Sequence, residues 1–446
     1  MRRNSRAISI LPLACLLALS GLAPVRTAQT LVAENVRSGA LGTPGAAIAV
    51  VQGGNLTTQQ FLGAADAARG RPVSTTTAYR IASITKIFTA VAILQLVERG
   101  HLRLGDRLNR YLPWAPHAGD VTIEELLTHS SGIPDFWDLA VAHNETARPV
   151  TPREIVETIS HRPLAFEPGS SSAYSNTEYT LLGLVVERVS GMPLGAYEKA
   201  HIFAPAHMQQ TAQGRAAPGT ILAAPSGADL VAFDPSWWYG SGDLVSTAAD
   251  LARFDIALFD GTLVAPKTFE QMQRDGMKRY GHGLGLDSMR FSNKTLFGRP
   301  GGIPGYGSID MFVPGDRNAV IALGGGDFDW GGVLVPLFTA LYPGSLAERG
   351  TGTPLPSRYS SVIENFTWGL QKGKITRSVL SPQLNELFTA PVLHQVAQQF
   401  TSFGAIRRLV FIKRDRNGGY EYDELFDYAC YPWTFGFDRR GKLTAQ

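Results

Sequence analysis

Tyr79-Arg80-Ile81-Ala82-Ser83-Ile84-Thr85-Lys86-Ile87-Phe88 is the stretch from which the rest of the chain is best read. On a helix, residues three apart lie one turn apart on the same face. The hydroxyl of Ser83 and the amine of Lys86 are therefore expected to point into the same space. A serine hydroxyl is a weak nucleophile until a nearby base takes its proton. The next turns carry Phe88, Ala90, Val91, Ala92, Ile93, Leu94, Leu96 and Val97, apolar nearly all round. Such a helix is buried in a large domain. It should stop at Glu98-Arg99-Gly100, with a cation in the last turn and a glycine beyond it. A buried lysine loses its charge unless it is paired. A neutral or tightly paired amine beside a serine can act as a base. The plain alternative is a capped helix start with an exposed lysine, so context must decide.

The chain has 446 residues, enough for two or three domains and a sizeable core. Only 18% of residues are charged, against about 25% in average domains. The 47 glycines suit a domain with many loops around a cleft better than a helical bundle. Arg2, Arg3 and Arg6 precede an apolar run over 7–19, and small residues follow. This is the layout of a secretory signal peptide, too short to span a bilayer well. Cleavage would follow Ser20, Ala23 or Ala28, and Cys15 lies inside the apolar run rather than at its end. Loss of 1–28 removes four arginines and no acids, so 41 basic residues become 37 against 38 acidic ones and +3 becomes −1. Nucleic-acid binding then has no electrostatic support. Cys430 would be left alone, with no internal disulfide and no cysteine metal cluster.

Residues 45–52 read as a buried strand, and 57–61 as its return after a turn at Asn55. Helices follow. Thr122-Ile-Glu-Glu125 and Thr151-Pro-Arg-Glu154 are capping boxes, the second with proline at the first helical position. Further helices are expected over 178–189 and from Ser246-Thr247-Ala248-Ala249-Asp250 onward. Strands return at 283–286, 307–313 and 319–324. Strands at both ends with helices between them predict an α+β domain, its terminal strands in one antiparallel sheet and a helical insert beside it. The domain would span 29–343. A Pro/Gly-rich linker covers 344–357, and 358–446 reads as a small α+β domain. Its helices are expected at 359–370 and 383–400, its strands at 406–413, 420–428 and 433–437, with a turn over 438–441. No internal repeat is present.

Two more stretches stand out. Phe166-Glu-Pro-Gly169 leads to Tyr174-Ser175-Asn176. A tyrosine near a lysine can work as an acid or base, because a neighbouring cation stabilises the phenolate, and an asparagine offers both donor and acceptor. Gly298-Arg299-Pro300-Gly301-Gly302-Ile303-Pro304-Gly305-Tyr306-Gly307-Ser308 lets a backbone pass close to a ligand, where a free N–H can hold an oxyanion. Each stretch alone is ordinary: a core tyrosine, a turn asparagine, a glycine-rich loop.

In this order, S-x-x-K, then Y-x-N, then a Gly-Gly strand, the chain resembles the serine β-lactamase-like superfamily. Within it the resemblance is to the branch of class C β-lactamases, D-aminopeptidases and family VIII-type carboxylesterases. Leu126-Leu-Thr-His-Ser-Ser-Gly132, Leu182-Gly-Leu-Val-Val-Glu187 and Ser246-Thr-Ala-Ala-Asp-Leu-Ala-Arg-Phe254 support it, over about 30–343. The resemblance implies that Ser83 is acylated with Lys86 as its partner, and that Tyr174 moves the proton to the leaving group. Asn176 would hold the substrate amide or Lys86. Gly301 and Gly302 would border the substrate, and the N–H groups of Ser83 and Gly302 would form an oxyanion hole. Whether Lys86 or Tyr174 is the principal base stays open. Members usually carry Lys-Thr-Gly or His-x-Gly where this chain has Arg299-Pro300-Gly301. Arginine cannot serve as a base but can grip a carboxylate, so Arg299 is expected to bind acidic substrates.

His129 reads as structural. Phe233, Trp237, Trp238 and Tyr239 lean towards a cleft wall, with His282 and Tyr306 as weaker candidates of the same kind. The tail is similar, faintly, to the SnoaL-like cone fold and reads as a packing or dimerisation element. The expectation is an exported serine hydrolase, periplasmic or secreted, acting through an acyl-enzyme on small esters, amides or peptides, with no metal or cofactor. The rivals are a class C-like β-lactamase and a non-catalytic binding or scaffold protein on the same fold.

Overall fold

The computed structural model describes residues 23–142, 145–227, 232–274, 282–291, 294–326, 328–342, 357–388, 393, 397, 406–414, 420–426, 430–438 and 440–444. The expected leader up to residue 22, the linker up to 356 and most of the second C-terminal helix lie outside the described residues.

The chain enters through helix α1 (Ala23–Arg37) and then makes β1 (Gly45–Gln52), β2 (Asn55–Asp66) and the short β3 (Arg71–Pro72). After the helical region come β6 (Asp287–Phe291), β7 (Lys294–Ile303), β8 (Tyr306–Val313) and β9 (Asn318–Gly325). Together they form one seven-stranded sheet in the order β3-β2-β1-β9-β8-β7-β6. β1 pairs with β9 antiparallel, Ile48 opposite Ala322, so the two ends of this region close one sheet, as the strand distribution predicted. The apolar run of β1 has a simple cause, since both of its faces are covered. Ala47, Ala49 and Val51 enter one hydrophobic core and Ala46, Ile48 and Val50 the other, as the alternation of side chains in a strand requires.

The inner core is helical. Between the two strand groups lie β4 (Thr77–Arg80), helix α2 (Thr85–Glu98), helix α3 (Asn176–Ser190), β5 (Leu244–Ser246) and helix α4 (Ala248–Phe259). Every residue of α2 from Thr85 to Leu96 is buried, which explains its uniform apolarity. Both capping boxes are formed, at Thr122 with Glu125 and at Thr151 with Glu154. Gly100 ends α2 with φ +73°.

Two expectations shift. Residues 283–286 are not a strand; β6 begins at Asp287. The segment read as a glycine-rich loop is largely strand β7 with a tight turn at Pro304-Gly305. Helix α5 (Gly331–Leu341) packs on the outer face with α1. In the C-terminal segment, helix α6 (Ser357–Gln371) and strands β10 (Ile406–Arg414), β11 (Tyr420–Phe426), β12 (Cys430–Phe437) and β13 (Leu443–Thr444) form the expected helix-then-meander order. Ile363, Phe366, Leu370, Leu380 and Leu443 join the outer hydrophobic cluster of the main sheet, with Val320 and Phe338. That shared burial ties the segment to the main sheet's outer face.

Candidate active site

Ser83 sits in a 3-10 turn, Ala82–Ile84, just before α2. This refines the helix expectation without changing its consequence, because side chains three apart also align on a 3-10 turn. Ala82 holds φ +48°, a left-handed conformation that costs an alanine energy and persists only where packing imposes it. Ser308 Oγ donates to Ile81 O at 2.9 Å and fixes the turn against β8.

Lys86 is fully buried and its Nζ faces three oxygens: Asn176 Oδ1 at 2.7 Å, Ser241 O at 2.8 Å and Ser83 Oγ at 3.2 Å. Burial first, and the Arg299 guanidinium next, hold the amine well below the usual lysine range. A neutral amine has two N–H groups and one lone pair. The two carbonyl oxygens can only accept, so they take both N–H groups. The lone pair is left for the one partner that can donate, the Ser83 hydroxyl.

Tyr174 and Asn176 arrive from the start of α3, with Ser175 as its N-cap. The Tyr174 hydroxyl lies 2.5 Å from Ser83 Oγ, to which it donates, and 3.4 Å from Asn176 Oδ1. Although 41% of Tyr174 is exposed, its ring packs against His129 and lies beneath the Lys86 amine. Burial pushes its pKa up to about 12, against the pull of Arg299 and Ser83. A phenol so raised stays protonated at neutral pH, while the amine beside it is driven towards its neutral form. Of the two candidate bases, the electrostatics therefore favour Lys86.

Asn176 is oriented by Asp135, whose Oδ2 accepts from Asn176 Nδ2 at 2.8 Å. That contact commits Oδ1 to Lys86. Asp135 and Ser241 escaped the sequence reading. They meet Asn176 and Lys86 across 41 and 155 residues of chain, and no spacing signal reaches so far.

The glycine strand closes the site. Ile303 pairs with Tyr306, Gly302 with Gly307 and Gly301 with Ser308. The closing pair of a two-residue turn is hydrogen-bonded, and pairs alternate beyond it. The N–H of Gly302 therefore turns away from β8. On that side β6 pairs with β7 only as far as Gly298, leaving an open edge. Gly302 and Ser83 line the same cleft. Pro300 occupies the next non-bonded position, so its missing N–H costs no ladder bond. A Cβ on Gly301 would press into Ser308 Oγ and lie 2.5 Å from Ile81 O, whereas one on Gly302 would meet nothing within 4 Å.

Arg299 is corrected. It is fully buried and does not line the cleft. Its Nη2 donates to Asp287 Oδ1 at 2.7 Å and its Nη1 lies 3.4 Å from His129 Nε2. It offers no grip to a substrate carboxylate. Burial alone would raise Asp287, but Arg299 and His282 outweigh it and hold its carboxyl low. His129 is buried, with Nδ1 2.5 Å from Glu178 Oε2 and its ring 4.7 Å from that of Tyr174. Burial and Arg299 keep the imidazole neutral. A guanidinium can only donate, so His129 Nε2 accepts and Nδ1 carries the proton towards Glu178. His282 Nδ1 meets Asp287 Oδ1 at 2.7 Å.

A cleft of about 390 Å³ opens over Ser83. Trp137 and Trp238 form one wall, their ring centres 4.2 Å apart. Trp237 instead faces the core and donates from Nε1 to Arg148 O at 2.9 Å. The aromatic run is thus split between wall and core. Among the described residues lining the cleft, none is charged.

A serine, a buried lysine and a tyrosine thus meet at the mouth of an α+β cleft. The β-lactamase family matches residues 28–329, and the chain belongs to that family, a class of serine hydrolases. PbpX of Bacillus subtilis strain 168, which bears the name of a penicillin-binding protein, is 31% identical over 294 residues, covering 63% of this chain and 70% of its own. Esterase EstB of Burkholderia gladioli is 35% identical over 181 residues, or 37% of this chain and 46% of its own. The D-amino acid amidase of Ochrobactrum anthropi SV3, solved with L-phenylalanine amide, superposes with a TM-score of 0.62 at 27% identity. That similarity covers 71% of this chain and 97% of the amidase.

Proposed function

We propose that the protein is an exported hydrolase that cleaves small esters or amides, D-aminoacyl compounds among them, through an acyl-enzyme on Ser83. The relatives that act on esters and D-amino acid amides support this range, and the basic start with its apolar run supports export. The single observation that carries the reading is the set of partners around Lys86. Asn176 Oδ1, Ser241 O and Ser83 Oγ surround its amine, and a neutral amine there would give its two N–H groups to the carbonyls and turn its lone pair to Ser83.

In this reading Lys86 takes the Ser83 proton as Oγ bonds to the substrate carbonyl carbon. The N–H groups of Ser83 and Gly302 receive the oxyanion, worth about 3–4 kcal/mol per donor in comparable sites. Tyr174, protonated and 2.5 Å from Oγ, passes a proton to the leaving alkoxide or amine and is resupplied from Lys86. Water then attacks the acyl-enzyme with the same groups acting in reverse. The uncharged aromatic wall favours an apolar acyl group. Residues 29–343 would form the hydrolase unit, with the C-terminal segment as a packing element.

Intact-mass spectrometry after exposure to a fluorophosphonate tests the proposal. One adduct that vanishes in Ser83→Ala is expected. An adduct that survives this substitution, or none with fluorophosphonate and penicillin alike, would refute it. A panel of p-nitrophenyl esters, D-aminoacyl anilides and a chromogenic cephalosporin then ranks the substrates.

A further inference from the structure

With Arg299 withdrawn into the interior, a different arginine lines a depression beside the cleft. Pro304, at the β7–β8 turn, lines the cleft over Ser83 and also a neighbouring depression of about 420 Å³. The second depression is walled by Leu222, Phe233, Pro235 and Tyr306, and Arg80 reaches into it. Arg80 ends β4, three residues before Ser83, and is half-buried.

Its guanidinium has five N–H donors. Nη1 donates to Gly214 O at 3.2 Å. The Tyr306 hydroxyl, which donates to Ala223 O at 2.7 Å, is a second acceptor for it. Among the described residues no carboxylate forms an ion pair with Arg80. Asp243 and Asp234 act on Arg80 through their charge without pairing with it: Asp243 Oδ2 accepts from Gln213 Nε2 at 2.9 Å, and Asp234 Oδ1 accepts from Ser236 N at 2.9 Å. Arg80 is drawn partly out of water with no carboxylate in direct contact, and its five donors outnumber these acceptors. Here it borders an apolar hollow that opens beside the reacting serine.

We propose that this depression is a second substrate subsite, in which Arg80 receives a carboxylate carried by the substrate. The proposal rests on Ser83 being the acylated residue. Guanidinium and carboxylate match as a two-bond pair, and the apolar walls strengthen that pair by excluding water. The competing account is that Arg80 only pins the Gly214 turn to β4.

The test uses the full chain and two matched ester pairs. One sets p-nitrophenyl hemiglutarate against p-nitrophenyl butyrate, placing the carboxylate on the acyl side. The other sets 4-carboxyphenyl butyrate against phenyl butyrate, placing it on the leaving group. For one pair, R80Q should lower the ratio of kcat/KM, acidic over neutral, about ten- to a hundredfold. The change should fall mainly in KM, with R80K recovering part of it. The pair that responds shows which side of the substrate occupies the subsite. Unchanged ratios for both pairs would overturn the proposal, as would equal losses on all four esters with a lowered Tm. If R80Q fails to fold, inhibition of the wild type carries the test. Free glutarate should compete with the neutral ester more strongly than glutaramide does, and equal inhibition would overturn the subsite. A wild type that turns over none of the four esters and takes no fluorophosphonate on Ser83 fails at the underlying reading instead.

Discussion

Asn176 joins Lys86 to Asp135: its Oδ1 accepts from Lys86 Nζ at 2.7 Å and its Nδ2 donates to Asp135 Oδ2 at 2.8 Å. The amide is thereby held in one of its two orientations. Asp135→Ala frees it to turn its NH2 towards Lys86, setting donor against donor. We expect kcat to fall about tenfold or more, the cost of one mispaired buried group, with KM little changed. A loss confined to KM would refute the orienting role.

The depressed amine sets the pH profile. The base must be unprotonated, so activity is absent below the Lys86 pKa and rises as pH passes through it. Because burial and Arg299 lower that pKa well below the ordinary lysine value, kcat/KM for a neutral ester should reach its plateau well below pH 10.5. Tyr174, pushed to about 12, stays protonated across that plateau. A profile still climbing at pH 10.5 would contradict a neutral Lys86.

Gly301 and Gly302 should behave differently. Gly301→Ala drives a methyl against Ser308 Oγ and Ile81 O, the contacts that hold the Ser83 turn. A Tm drop of several degrees, as overpacking by about 1–3 kcal/mol gives, should accompany loss of turnover. Gly302→Ala meets open space and should leave Tm within about a degree, since surface substitutions stay within about 0.5 kcal/mol. Thermal melts of both variants check this.

Arg299→Ala removes the partner of Asp287 and leaves that acid and His129 facing a void. Breaking such a buried pair costs about 3–5 kcal/mol. Tm should fall, and acidic and neutral substrates should lose activity alike. A selective rise in KM for acidic substrates would restore the direct binding role.

Asp255 on α4 and Asp310 on β8 are both fully buried, and their carboxyls face one another. Burial, and for Asp255 also its neighbour, raises both, Asp310 to about 7. A carboxyl raised on folding stabilises fully below its unfolded pKa, and that stability is lost as pH rises through the folded value. Between about pH 4 and pH 7, this pair should make Tm fall with rising pH. Asp310→Asn, which cannot ionise, should flatten that limb, and a slope equal to the wild type's would show that the pair does not titrate there.

What the sequence alone determined is local. Helix α2 is apolar on every side because every side is covered, and that reads directly from residues 85–97. The Ser83–Lys86 spacing, the two capping boxes and the Tyr174–Asn176 pair are likewise set by neighbours a few residues apart. From its own residues strand β7 reads as a loop, because Gly298, Pro300, Gly301 and Gly302 lack strand propensity; only the resemblance pointed to a Gly-Gly strand, and pairing with β8 makes it one. Only the tertiary structure bears on which group is the better base. The proton affinities of Lys86 and Tyr174 follow from burial and from Arg299, which lies more than a hundred residues away in the chain and beside them in space. Tertiary packing also turned Arg299 inward to Asp287 and left Arg80 facing a hollow. Residue type fixes what a side chain can bond, but desolvation and partner distance, which exist only in the folded chain, fix what it does.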